Sequence, residues 1–304
     1  MYYPILRGKQ NELIALRELS ELVAANVLKP VIEPVRASIA PLERTIKQLA
    51  SKGILPLVVV NPSLGDFLGG HHNVSGNLES VDGMYVPCVK IKGPTDANAI
   101  ELFKTFSGTA AVYLENGVDQ PLIDVVNSSV CTLVNEQKLN KVAFERLSNK
   151  VVYGDFFDKQ SKNSDYEEYS YFPGLHSEYK TRENVVGFGD FTILSEEYSE
   201  SGGPAYVVTI HLSYINRAEF DSMHVRHFSS YDDRSPANPG GKFKDALNKL
   251  IAFVRDNPGK ITATSGLAEF IGLSASGHFP GLGFVKKVSV KHHIETTCSY
   301  VGEL

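Results

Sequence analysis

Tryptophan is absent from this chain, cysteine and methionine occur only three times each, and no apolar run approaches the ~20 residues that span a bilayer. Cys88, Cys131 and Cys298 are odd in number and far apart, which excludes a disulfide framework and a CxxC metal pair. Cys88 and Cys131 fall in apolar runs, where a thiol behaves as a small buried hydrophobe, as in a reducing compartment. Residues 1–7 have no basic stretch leading into an apolar core, so no signal peptide and a cytoplasmic location are expected. Charge of one sign is also scarce. The net value of -5 argues against a broad electrostatic surface for nucleic acid. Neither HExxH nor HxxxH occurs, so zinc is not indicated. What is present suffices for a full core: 42% hydrophobic residues, with 14 tyrosines and 16 phenylalanines.

Short apolar runs alternate with amphipathic stretches. The runs cover residues 2–6, 30–35, 55–60, 85–91, 110–114, 130–134, 150–153 and 184–188, the last continuing through 192–194. Between them helices are expected over 11–25, 41–51, 121–126 and 141–147, with another started by Thr95 as N-cap and ended by Gly108. Segments 61–80 and 158–182 read as polar loops, the latter Tyr-rich and suited to a lid or a protein-contact surface. Starts spaced by about 20 to 34 residues are the cadence of βα units. Continuous rather than alternating polarity fits parallel strands covered by helices. Eight units within residues 1–195 predict a (β/α)8 TIM-like barrel. An open doubly wound sheet is the rival, weakened because no GxGxxG turn follows the first run.

Residues 196–304 read differently. Residues 206–214 alternate in polarity as a half-exposed antiparallel strand, with 223–229 as its hairpin partner. An amphipathic helix is expected over 242–256 and a short one over 266–271, followed by a glycine-rich loop and the apolar run 284–290. We read this part as an appended β-hairpin with helices rather than an independent domain.

In such a barrel, residues just past the strand C-termini converge on one mouth. Here these positions supply Arg7, Lys9, Glu33, Asn61, Lys90, Lys92, Glu115, Asn116, Asn135, Glu136, Asp155, Asp158 and Asp190. Loops are polar in every protein, but Glu33, Lys90 and Glu115 lie in or against apolar runs, where an isolated charge costs several kcal/mol. Glu33, Glu115, Asp155 and Asp190 are candidate acid/base groups, or oxygen ligands for a divalent cation such as Mg or Mn. A lysine among them could instead serve as a base or Schiff-base nucleophile. Arg7, Lys9, Lys90 and Lys92, with Asn61 and Asn135, are candidates for binding a small anion. If the hairpin pairs as expected, His211 and His227 share a site, and Arg226 and His227 would then cover the mouth and join these candidates. The glycines of Gly187-Phe188-Gly189-Asp190 suit phosphate binding at the eighth strand or an ordinary tight turn.

Tyr3-Pro4-Ile5-Leu6-Arg7-Gly8-Lys9, Glu12, Ala15-Leu16-Arg17-Glu18-Leu19 and Pro30-Val31-Ile32-Glu33-Pro34 resemble the opening of the "beta protein" family of bacteria and phages. Gly187-Phe188-Gly189-Asp190 is similar to that family's later Gly-Asp-aromatic segment, and residues past 195, including His227-Phe228, resemble a shorter bacterial subgroup. The resemblance implies a barrel, a bacterial cytoplasmic setting and a nuclease-like partner encoded nearby in anti-phage defence. By position it singles out Arg7, Lys9, Glu33 and Asp190, and it brings no established reaction. Three functions compete: a hydrolase or lyase acting on a phosphorylated small molecule, nucleotide or phosphodiester; a non-catalytic module sensing a ligand or phage protein to control a partner effector; and a structural subunit.

Overall fold

The computed structural model describes residues 1–200 and 202–304. They form two compact units, one of Met1–Asp155 with Leu175–Asp190, the other of Phe156–Gly174 with Phe191–Leu304. The sequence-based boundary near 195 thus lies a few residues late, and much of the Tyr-rich insertion belongs to the second unit.

The first unit is a closed, all-parallel barrel of eight strands: β1 (Tyr2–Leu6), β2 (Val31–Ile32), β3 (Leu57–Val59), β4 (Val86–Ile91), β5 (Ala111–Leu114), β6 (Thr132–Val134), β7 (Lys150–Gly154) and, past β8 of the other unit (Tyr169–Phe172), β9 (Val185–Asp190). Helices α1 (Gln10–Leu19), α2 (Ala40–Ser51), α3 (Ala97–Thr105), α4 (Gln120–Val126), α5 (Lys141–Arg146) and α6 (Leu175–Glu178) lie between the strands in sequence. The expected barrel is therefore present, and the open sheet is excluded.

Some local expectations give way. α1 stops at Leu19 rather than reaching 25, as the Ser20 hydroxyl bonds back to the Arg17 carbonyl and Leu28 then bridges Tyr2. Asp96, not Thr95, caps α3, its carboxylate accepting from the Ala99 amide. The eighth strand ends at Asp190, because Thr192 takes a left-handed backbone that no strand can continue through.

Strand register decides which side chains fill the barrel. Side chains alternate across a strand, and paired residues share a face. Following the register around the ring links Tyr3, Ile5, Val31, Leu57, Val59, Cys88, Ala111, Tyr113, Leu133, Val151, Tyr153, Gly187 and Gly189 on one face. The Tyr113 and Tyr153 rings meet at 4.9 Å across the intervening β6, which marks that face as the concave, inner one. Gly187 and Gly189 are there to admit Tyr3. A Cβ at Gly187 would sit 2.4 Å from the Tyr3 ring, and one at Gly189 would sit 2.5 Å from the Tyr3 backbone oxygen. Both lie within β9, so neither a phosphate loop nor a tight turn explains them. Gly189→Ala should cost about 1–3 kcal/mol in urea unfolding, the range for overpacking. Tyr3→Leu should recover Gly187→Ala only in part, because the Met1 backbone oxygen also stands 2.7 Å from that Cβ, and should not recover Gly189→Ala, whose nearest obstacle is the Tyr3 backbone oxygen.

The second unit holds a three-stranded antiparallel sheet in the order β10 (Thr209–Asn216), β11 (Ser222–Ser229), β8, with α7 (Pro239–Asp256), α8 (Ser265–Ser276) and α9 (Leu282–Glu303). The expected hairpin is present, and the segment read as a lid supplies its third strand. Ile210, Leu212, Tyr214 and Phe228 pack with Phe243, Leu247, Leu250, Phe270 and Val288 in one apolar cluster. Lys242 is buried, its ammonium held by the Tyr206 and Ser235 carbonyls and Asp233. Among the described residues no helix is long and apolar enough to cross a membrane.

Candidate functional site

The inward parity of each strand carries on past its C-terminal end, which is why charge converges there. Arg7 follows Ile5, Glu33 follows Val31, Lys90 follows Cys88 and Glu115 follows Tyr113, each two residues on. Arg7 Nη1 lies 2.6 Å from Glu33 Oε2, Lys90 Nζ lies 2.9 Å from Glu33 Oε1, and Lys90 Nζ lies 3.1 Å from Glu115 Oε1. The order is plus, minus, plus, minus. Exposure rises to one end: the side chains of Arg7, Glu33 and Lys90 are 10%, 3% and 8% exposed, that of Glu115 25%. Glu12 extends the inner end by accepting the Arg7 amide at 2.6 Å, and burial raises its pKa against the lowering pull of the Arg7 and Lys9 amides and charges.

Three oxygens meet the Lys90 ammonium, from Glu33, Glu115 and, at 3.1 Å, the Ser63 hydroxyl. An ammonium has three donors, so each has a partner. This limits the chemistry. A lysine clasped by two carboxylates is poorly placed as a Schiff-base nucleophile. An anion reaching Lys90 would compete with Glu115, the outermost acceptor.

The other predicted residues divide clearly. Asn61 stitches β3 to β4, its amide donating to the Lys90 carbonyl at 2.7 Å and accepting from the Lys90 amide at 2.8 Å. Asn135 is buried and accepts from the Gln137 amide. Lys9 is the N-cap residue of α1, while Lys92 and Asp155 are exposed. Asp190 is a correction. It adjoins inward Gly189, so alternation turns it to the outer face, where its carboxylate accepts the Tyr2 hydroxyl at 2.7 Å. Among the described residues no three His, Cys, Asp or Glu side chains are grouped to hold a metal ion.

His211, Arg226 and His227 belong to the second unit. His211 and His227 are register partners on β10 and β11, with Nδ1 atoms 2.8 Å apart, as the hairpin expectation requires. Arg226 is again a correction. As the neighbour of His227 on a strand, it lies on the opposite face, paired with Glu168 at 2.7 Å and over the Phe253 ring, so Arg226 and His227 cannot line one surface together. His227 Nε2 lies 3.0 Å from the Ser170 hydroxyl; Tyr166 stacks on the His227 ring, and Phe157 meets His211 edge-on. Burial, then the His227 and Lys286 charges, holds His211 well below the usual histidine range. Burial, then Arg226, brings His227 down to about 4.

Two further histidines on α9 have fully buried side chains. His292 Nε2 donates to the Ser213 carbonyl at 2.7 Å, which leaves Nδ1 to accept the Thr264 hydroxyl at 2.6 Å. Burial lowers its pKa to about 4. His293 Nδ1 meets the Ser213 hydroxyl at 2.6 Å.

Sequence reasoning passed over Ser63 and Ser170. Ser63 had a usable signal, two residues beyond Asn61 at a strand end; Ser170 had none, since only the pairing of β8 with β11 brings it to His227. Comparisons with protein-family models, curated proteins and solved structures find no match.

Proposed function

We propose that the first unit is a barrel enzyme of the hydrolase or lyase type, acting on a phosphate-bearing small molecule, a nucleotide or a phosphodiester among them. Arg7 and Lys90 would hold the anion, and Glu115 would act as acid or base. The observation that supports this is the buried Arg7–Glu33–Lys90–Glu115 chain, which leads outward to its one partly exposed carboxylate at the strand C-termini. Four charges removed from water are a poor way to hold a barrel together, because desolvation offsets much of their attraction. Their place is where barrels carry chemistry.

A second reading is favoured by the complete set of partners around Lys90. A site already charge-balanced can act as a switch, in which a bound anion displaces Glu115 and the change is passed to a partner. With the resemblance to the beta protein family goes such a partner, a nuclease-like effector in a bacterial cytoplasm.

Melting of the whole chain with nucleotides, cyclic nucleotides and sugar phosphates separates the outcomes. A ligand at 100 times its dissociation constant adds about 2.7 kcal/mol. The enzyme reading expects a shift with one ligand class, and turnover of that class that Glu115→Gln abolishes while leaving the fold intact. A shift without turnover selects the switch. No shift with any of them overturns both.

A further inference from the structure

We propose that Ser170, His227 and His211 form a nucleophile–base–orienter relay, a second hydrolytic centre carried by the second unit and suited to apolar carboxylic esters. The three residues lie on three strands of one sheet and on one face of it. His211 is the register partner of His227, and Ser170, partner of Val225, is diagonal to His227 on the same side. The distances are those of hydrogen bonds, 3.0 Å from Ser170 Oγ to His227 Nε2 and 2.8 Å from His227 Nδ1 to His211 Nδ1. One proton assignment satisfies all of it with neutral rings. Ser170 donates to His227 Nε2, His227 carries its proton on Nδ1 and donates it to His211 Nδ1, and His211 is protonated at Nε2. A hydroxyl within reach of a base, with that base held by a third group, is the arrangement by which serine nucleophiles are recognised on unrelated folds.

The surroundings fit that use. His227 is 5% exposed, so its orientation is fixed, while Ser170 and His211 are half-buried. Tyr166 and Phe157 wall the imidazoles at ring separations of 4.7 to 6.1 Å. Among the described residues His211, not a carboxylate, is the partner of His227 Nδ1, so the apolar walls and a neutral orienter suit an uncharged acyl group. In the reaction, Ser170 Oγ adds to the ester carbonyl carbon as its proton passes to His227 Nε2. Collapse breaks the bond to the alcohol oxygen, and the alcohol leaves with that proton. Water then gives a proton to the same nitrogen and adds to the acyl-serine, and Ser170 regains its proton as the acid is released.

The test is labelling of the full chain with a fluorophosphonate probe, the adduct located by mass spectrometry, beside hydrolysis of p-nitrophenyl butyrate. An adduct on Ser170 is expected, absent in Ser170→Ala, with labelling in His227→Gln slowed by about 10²-fold or more, the lower end for general-base assistance. Ser170→Ala removes one hydroxyl, and an unchanged melting temperature shows its fold intact. Ser170→Cys provides a second reading, since its half-buried thiol, with the neutral His227 as base, should react with iodoacetamide ahead of the buried native Cys88, Cys131 and Cys298, and more slowly once His227→Gln is added. A folded wild-type protein with no adduct on Ser170, or an adduct that forms equally fast in His227→Gln, would overturn the proposal.

Discussion

Glu33→Ala is expected to lower the unfolding free energy of the barrel by about 3–5 kcal/mol, more than any other change in the charge chain, because it removes the buried carboxylate that two buried cations share. Lys90→Met should cost less. It leaves Glu33 paired with Arg7, and the outermost carboxylate, Glu115, can turn to water. Glu115→Gln should change stability by under ~1 kcal/mol, as for a partly solvated pair. Urea unfolding followed by circular dichroism measures all three. The order Glu33, Lys90, Glu115 is the informative result, since it separates charges that hold the barrel from the one left available to a ligand. A loss below ~1 kcal/mol for Glu33→Ala would mean that water reaches Arg7 and Lys90, and that the ion pairs are not held out of solvent.

Acid should unfold the second unit well before it protonates most carboxylates. His292 and His227 are held at about 4 in the folded chain against an ordinary 6.5. The folded state therefore refuses protons that the unfolded chain accepts. Stability is full above pH 6.5 and is lost as pH falls through the window down to about 4. Each of these two histidines should cost about 2 kcal/mol at pH 5 by proton linkage. His211, shifted in the same direction, adds to the loss. The urea midpoint at pH 7 and pH 5 measures it. His292→Gln retains a donor for the Ser213 carbonyl but does not titrate, and should flatten the pH dependence by about one proton. A midpoint unchanged between pH 7 and pH 5 would show that the imidazoles gain their protons without unfolding.

Strand periodicity alone was enough to locate most of the mouth. The cadence of apolar runs sets eight parallel strands, and residues two positions past an inward strand residue converge at one end of the barrel. Arg7, Glu33, Lys90 and Glu115 were legible for that reason, as charges in or against apolar runs. Asp190 was not, because a one-residue offset reverses a side chain and composition does not report parity. Arg226 failed the same way beside His227. The two glycines of β9 read equally well as phosphate loop or turn until Tyr3 was seen in the space they leave.

By itself, then, the sequence determined what is local and periodic: the barrel class, the hairpin of β10 and β11, and the line of residues from which a mouth is made. Only the tertiary structure decided which charges pair, that Lys90 has all its donors occupied, and that Ser170 reaches His227 over 57 positions of chain. The physical reason is that periodicity records which face a residue takes within its own element, whereas ion pairs and relays depend on register between elements far apart in the chain, which loop lengths and close packing at positions such as Gly189 set together.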